Sequence, residues 1–217
     1  MNRTGMIITG GSIKEPFVLQ QIKEKEPKYL IAVDRGLLFF YQNQILPTHI
    51  VGDFDSVPKE VIAYYREHTD IEIRTFHPVK DASDTEIGLR LALEIGAEEI
   101  WLLGATGTRL DHVMANMQIL KIALDAKVKA YMLDSHNQIS LHDKNIILDK
   151  EKQYGSYFSI FPLGGIVEEV TIRGAKYPLE KYRLCPYDSL CVSNEVQDEK
   201  VEITFSNGML LLMETRD

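Results

Sequence analysis

Asp53 and Asp55 follow the apolar run that ends at Val51, with Gly52 between that run and the pair. Residues two apart in extended chain project to one side. Two carboxylates on one side at a strand's carboxyl end suit magnesium, which takes oxygen ligands and keeps waters and substrate phosphates in its shell. Gly52 lets backbone or ligand approach closely. The alternative is a solvated turn whose aspartates serve local hydrogen bonding. A second acidic run, Lys80-Asp81-Ala82-Ser83-Asp84-Thr85-Glu86, precedes a helical stretch. Ser83 or Asp84 can cap that helix, with Glu86 in its first turn. Capping does not require two aspartates and a lysine together. Asp81 and Asp84 are therefore candidates to complete a metal cluster, and Lys80 is a candidate to meet a phosphate as a point charge.

The third motif is Gly104-Ala105-Thr106-Gly107-Thr108-Arg109-Leu110-Asp111-His112. Glycines and hydroxyls at a helix N-terminus offer backbone N–H groups and a favourable dipole to an anion. Gly104, Thr106 and Gly107 are the candidate cradle, and Arg109 adds a planar fork suited to phosphate. Asp111 can cap the helix, bind metal or take a proton, and His112 can contact phosphate or substrate. Asp34-Arg35-Gly36 and Gly10-Gly11-Ser12 also end apolar runs and can face a nucleotide. The chain carries no GxxxxGK[ST] loop and no kinase-type glycine loop, so use of ATP requires metal held by carboxylates. His49, His68, His77, His136 and His142 lack ligand-like spacing and read as ordinary residues.

These motifs need a frame that brings them to one edge. Met6–Thr9, Tyr29–Val33, His49–Val51, Ile71–Phe76, Ile100–Leu103 and Val128–Leu133 read as buried strands. Pro16–Lys25, Leu37–Gln42, Lys59–His68, Thr85–Ile95 and Leu110–Ala126 read as the helices between them. That alternation predicts a Rossmann-like parallel sheet with helices on both faces, and ligands beyond the carboxyl ends of the strands. In the last helix, Leu110, Val113, Met114, Met117, Leu120, Ile122 and Leu124 predict a buried stripe. Trp101 reads as core.

Beyond Asp134 the helical pattern stops. Gln138–Leu141, Ile146–Leu148, Tyr157–Phe161, Val167–Arg173, Ser189–Val192, Val201–Phe205 and Met209–Met213 read as short strands separated by turn residues. Asn207-Gly208 predicts a hairpin between the last two. The expected plan is an α/β domain over residues 1–135 and a small all-β sandwich or barrel over residues 136–217.

Composition agrees with a folded globular chain. Of 217 residues, 45% are hydrophobic and 26% charged, which is ordinary for a globular chain. A net charge of -8 argues against binding nucleic acid or an anionic membrane surface. No apolar run reaches the roughly 18 residues a membrane span needs. The N-terminal Met6-Ile7-Ile8 run is too short for a signal peptide, so the expected compartment is the cytoplasm. Cys185 and Cys191 fit that compartment as reduced thiols, and with no nearby histidine they make no zinc site.

The order and spacing of Val33-Asp34-Arg35-Gly36, Gly52-Asp53-Phe54-Asp55-Ser56, Lys80-Asp81 with Asp84, and Gly104-Ala105-Thr106-Gly107 with Arg109, Asp111 and His112 resemble the thiamine pyrophosphokinase family. Ser193-Asn194-Glu195 extends the resemblance into the β region, so it covers nearly the whole chain. It implies transfer of the β,γ-pyrophosphoryl group of ATP to the hydroxyl of thiamine, giving thiamine diphosphate and AMP. It implies magnesium on Asp53, Asp55, Asp81 and Asp84, and ATP near Asp34, Lys80, Gly104, Thr106, Gly107, Arg109, Asp111 and His112. Asp81, Asp84 and Arg109 are the expected catalytic groups. Ser193 and Asn194 are expected to meet thiamine, at the interface of a homodimer. Thr108 replaces a glycine frequent in the family's loop, and Ser83 replaces a threonine. Some relatives place a tryptophan over thiamine. This β region has none, so the platform falls to a tyrosine or phenylalanine. Two rival readings are a metal-dependent phosphoesterase, whose Asp-His pairs Asp111-His112 resembles, and a non-catalytic thiamine or nucleotide sensor.

Overall fold

The structure is a computed structural model that describes residues 3–75 and 82–217. Lys80 and Asp81 lie outside the described residues, as does Phe76. The chain divides into two compact units, Met1–Ser135 and His136–Asp217.

In the first unit, β1 (Thr4–Ile8), β2 (Tyr29–Val33), β3 (His49–Gly52), β4 (Ile73–Thr75), β5 (Glu99–Leu103) and β6 (Lys129–Leu133) lie in the order β4-β3-β2-β1-β5-β6. Every pairing among them is parallel. Met6, Ile7, Ile8, Ile31, Ala32, Ile50 and Val51 are wholly buried, as strands covered on both faces must be. The connecting helices are α1 (Glu15–Lys25), α2 (Leu37–Gln42), α3 (Lys59–His68), α4 (Asp84–Glu94) and α5 (Leu110–Asp125). Strand order runs outward from β1 to β4, then resumes on the far side of β1. Right-handed crossovers therefore put α1–α3 on one face and α4 and α5 on the other. Ser83 caps α4, its Oγ accepting from the Glu86 amide at 3.3 Å.

Two expectations fail in this unit. The fourth strand begins at Ile73 rather than Ile71. On α5 the buried face carries Asn116, Ile119, Leu120 and Ala123, while Leu110 is 76% exposed and Met114 53%. Met114 lies two residues from Asn116, roughly 200° around the helix, which turns it to the opposite side. Asn116 takes the inward position because its amide Nδ2 donates to the Ala105 carbonyl at 2.8 Å.

The second unit is a β-sandwich. β7 (Asn137–His142), β13 (Leu210–Thr215) and β9 (Tyr157–Pro162) form one antiparallel sheet, with β13 in the middle. β8 (Ile146–Asp149), β10 (Val167–Arg173), β11 (Leu179–Leu184) and β12 (Lys200–Thr204) form the other, in the order β11-β10-β12-β8. Phe158, Ile160, Leu210 and Leu212 from the first sheet share a core with Leu148, Val170, Ile172, Leu184, Val201 and Ile203 from the second.

The strand expected over Ser189–Val192 is a turn. The strand at that edge of the sheet is β11, whose Glu180, Lys181 and Arg183 hide it from an apolar search. Charged residues are common on sheet edges, where they block further pairing. Asn207-Gly208 is not a hairpin. β12 pairs with β8 and β10, while β13 pairs with β7 and β9, so the turn carries the chain from one sheet to the other. Gly208 takes φ 100° there, and a side chain would press on the Ile166 carbonyl at 2.9 Å.

Candidate active site

β1 is the point where strand order reverses, since its neighbours are β2 and β5. Loops leaving the carboxyl ends of such strands diverge and leave a crevice. A cavity of about 510 Å³ opens there, lined by the turns after β1, β2 and β5 and by the start of α4 and α5. Gly11 N donates to Gly104 O at 2.9 Å and Ser12 N to Thr106 O at 2.7 Å, so the first and third turns are pinned together. Any side chain on Gly11 would run into the carbonyl oxygens of Gly104 and Thr106. Asn116 braces the same loop through Ala105. The first-turn amides of α5 adjoin this cavity, a setting suited to phosphate.

Of the candidates for the nucleotide, Asp34, Gly104, Thr106, Gly107, Arg109 and His112 line the cavity, as do Asp84 and Thr108. Thr106 donates its hydroxyl to Asp134 Oδ2 at 2.8 Å. Arg109 is paired with Asp111, Nη2 to Oδ2 at 2.6 Å and Nε to Oδ1 at 3.2 Å. That guanidinium, first, and the His112 amide hold the Asp111 carboxyl below its usual range. Asp111 does not cap α5. Arg109 is the residue at the cap position, and Asp111 spends its oxygens on Arg109 and the His112 amide.

The acidic group assembles because β2 and β3 are adjacent. Asp34 leaves the end of β2, and Asp53 and Asp55 follow β3. Each of the three offers a carboxylate oxygen within 4.8 Å of the others. Phe54, between the pair, is buried and left-handed at φ 60°, which anchors the turn that carries both aspartates. Asp34 is also left-handed, at φ 46°. Its Oδ2 accepts from Ser56 Oγ at 2.9 Å, whereas its Oδ1 is buried without a hydrogen-bond partner among the described residues. Burial raises the Asp34 carboxyl above its ordinary value. Hydrogen bonds from Ser56 and the Arg35 amide oppose the rise, and the charges of Asp84 and Asp53 add to it. An orphaned carboxylate oxygen beside two further carboxylates fits a hard divalent cation. The structure thus groups Asp34 with Asp53 and Asp55. Asp84 lines the cavity at the first turn of α4, and Asp81 is outside the described residues.

In the β-sandwich, Ser193 is left-handed at φ 55° and its amide donates to Ser159 Oγ at 3.0 Å. Asn194 is buried. Its Oδ1 accepts from the Tyr177 and Glu195 amides, and its Nδ2 donates to the Tyr177 carbonyl. Tyr177 is 58% exposed. Ser56 closes the Gly52–Ser56 motif but takes no role of its own in the sequence, and neither Asn116 nor Tyr177 is singled out there.

Residues 20–132 match the family model described as thiamin pyrophosphokinase, catalytic domain, and residues 144–210 match thiamin pyrophosphokinase, vitamin B1 binding domain. The chain is 29% identical to a thiamine pyrophosphokinase of Bacillus subtilis over 195 residues, 86% of this chain and 87% of that one. The crystal structure of thiamine pyrophosphokinase from Bacillus subtilis superposes with a TM-score of 0.85 at 26% identity, covering 99% of each chain. That of thiamin pyrophosphokinase from Geobacillus thermodenitrificans gives 0.82 at 28% identity, covering 99% of this chain and 98% of that one. Among the described residues no helix is long and apolar enough to cross a membrane.

Proposed function

This chain belongs to the thiamin pyrophosphokinase family, and from that membership we propose that it transfers the β,γ-pyrophosphoryl group of ATP to the hydroxyl of thiamine, releasing AMP. The observation that carries the reading is the cavity at the β1/β5 switch, which sets an anion cradle beside three converging carboxylates. Attack falls on the β-phosphorus, so positioning and charge neutralisation do most of the work. Asp53, Asp55 and Asp34 would hold magnesium, which supplies neutralising charge to the phosphate oxygens. The turn after β5 and the α5 N-terminus bind the triphosphate through backbone amides. Arg109 turns from Asp111 to the phosphates, joined by Lys80. Asp84, in the cavity wall, is a candidate to take the hydroxyl proton, and Asp81, by the family resemblance, is the alternative.

The β-sandwich receives thiamine beside Ser193 and Asn194, with Tyr177 as the aromatic platform in place of a tryptophan. Its support is the pair of backbone bonds through which Asn194 fixes an exposed ring. The α/β domain then spans 1–135 and the thiamine-binding domain 136–217, and the working form is a homodimer with thiamine at its interface. Cys185 and Cys191 are free thiols, in keeping with a cytoplasmic chain.

The test is AMP release from ATP and magnesium with and without thiamine. Thiamine-dependent AMP, lost in Asp55→Asn, is the expected result. Phosphate released without thiamine would indicate a phosphoesterase instead. Binding of thiamine or ATP without AMP would indicate a sensor.

A further inference from the structure

Ser56 makes a contact that its place in the Asp-Phe-Asp-Ser run does not announce. Its hydroxyl reaches across 22 residues of sequence to donate to Asp34 Oδ2 at 2.9 Å. The carboxylate is thereby fixed in rotation, and the oxygen left over, Oδ1, is the one that is buried with no hydrogen-bond partner among the described residues. A buried carboxylate oxygen without a partner is unfavourable. So is the left-handed backbone of Asp34, and so is crowding three carboxylates within 4.8 Å. A divalent cation at the meeting point of Asp34, Asp53 and Asp55 would relieve the first and the last of these, the orphaned oxygen and the crowded charge.

We propose that Ser56 is a positioning residue, holding Asp34 so that Oδ1 becomes the third carboxylate arm of the cation site. The inference rests on the magnesium reading above and adds to it a specific hydroxyl. Side chains that orient metal ligands from behind typically change metal affinity about 10- to 100-fold when removed. Ser56 is solvent-exposed, so its loss should leave the fold intact.

Manganese serves as the probe, titrated by electron paramagnetic resonance into the full chain with α,β-methylene-ATP, which cannot be cleaved at the reacting bond. Ser56→Ala should weaken manganese binding roughly tenfold, with metal-free thermal unfolding unchanged, and Ser56→Thr should restore most of the affinity. Asp34→Asn should weaken it more than Ser56→Ala does. Equal manganese affinity in Ser56→Ala and the unaltered chain would overturn the positioning role, and equal affinity in Asp34→Asn would overturn the third arm. An unaltered chain that binds no manganese would remove the magnesium reading and this inference with it. One that binds manganese in this pattern yet makes no AMP would leave the inference standing and remove the thiamine reading.

Discussion

Asn194 holds both backbone polar groups of Tyr177, accepting from its N–H at 3.0 Å and donating to its C=O at 2.8 Å. A side-chain amide that mimics a strand in this way fixes the residue it clasps, and here that residue presents its ring to solvent. Stacking of an aromatic ring on a planar cation or heterocycle contributes about 1–3 kcal/mol. Tyr177→Ala should therefore raise the KM for thiamine about 5- to 150-fold, with a much smaller change in the KM for ATP. Tyr177→Phe should stay close to the unaltered chain. Steady-state kinetics in both substrates decide this, and an unchanged thiamine KM in Tyr177→Ala would sink the platform.

Gly11 and Gly104 meet where the turns after β1 and β5 are pinned together. A methyl group at Gly11 would be driven into two backbone carbonyls, neither of which can swing away. Gly11→Ala should destabilise the chain by about 2–4 kcal/mol and lower Tm by roughly 5–15 °C. Differential scanning calorimetry measures it, and a Tm within a degree or two of the unaltered chain would contradict the close approach.

Asp34 links pH to stability and metal. Burial holds its carboxyl above the ordinary value, so between the ordinary and the raised value the folded chain keeps a proton that the unfolded chain has lost. Stability contributed by this group therefore falls as pH rises through that window, and the penalty is complete above the folded value. A divalent cation binds only the ionised carboxylate and offsets the penalty. Magnesium should therefore raise Tm more at about pH 7.5 than at about pH 5. Asp34→Asn should raise the metal-free Tm at the higher pH and shrink the magnesium increment. Calorimetry with and without magnesium at both pH values is the measurement, and an increment independent of pH would count against the linkage.

The two thiols should behave differently. Cys191 is 5% exposed, and burial, with the Asp188 charge, pushes its thiol up to about 11. Cys185 is only partly covered. A colorimetric disulfide reagent at about pH 8 should titrate one thiol in the native chain and two after denaturation, because the thiolate is the reacting form. Two fast-reacting thiols in the native chain would contradict the burial of Cys191.

The strand-helix alternation, the β region beyond Asp134 and the motifs that follow β3 and β5 were legible in the sequence. Each is written locally, in buried apolar runs, helical spacing and glycines at turns. The order of motifs along the chain was also enough to suggest the family. Partner choice was not legible. Asp34 joins Asp53 and Asp55 because β2 pairs with β3, and a strand's neighbour is decided by the whole sheet rather than by its own residues. For the same reason Asn207-Gly208 marks a reversal of the chain without saying that β12 and β13 enter different sheets. β11 escaped notice because an edge strand keeps charges that an apolar search rejects, and Met114 was misplaced because the amide of Asn116 outcompeted it for the inward face of α5. The sequence by itself determined which groups could do chemistry. The tertiary structure decided which of them meet, since long-range pairing and the satisfaction of buried polar groups set distances that spacing along the chain does not contain.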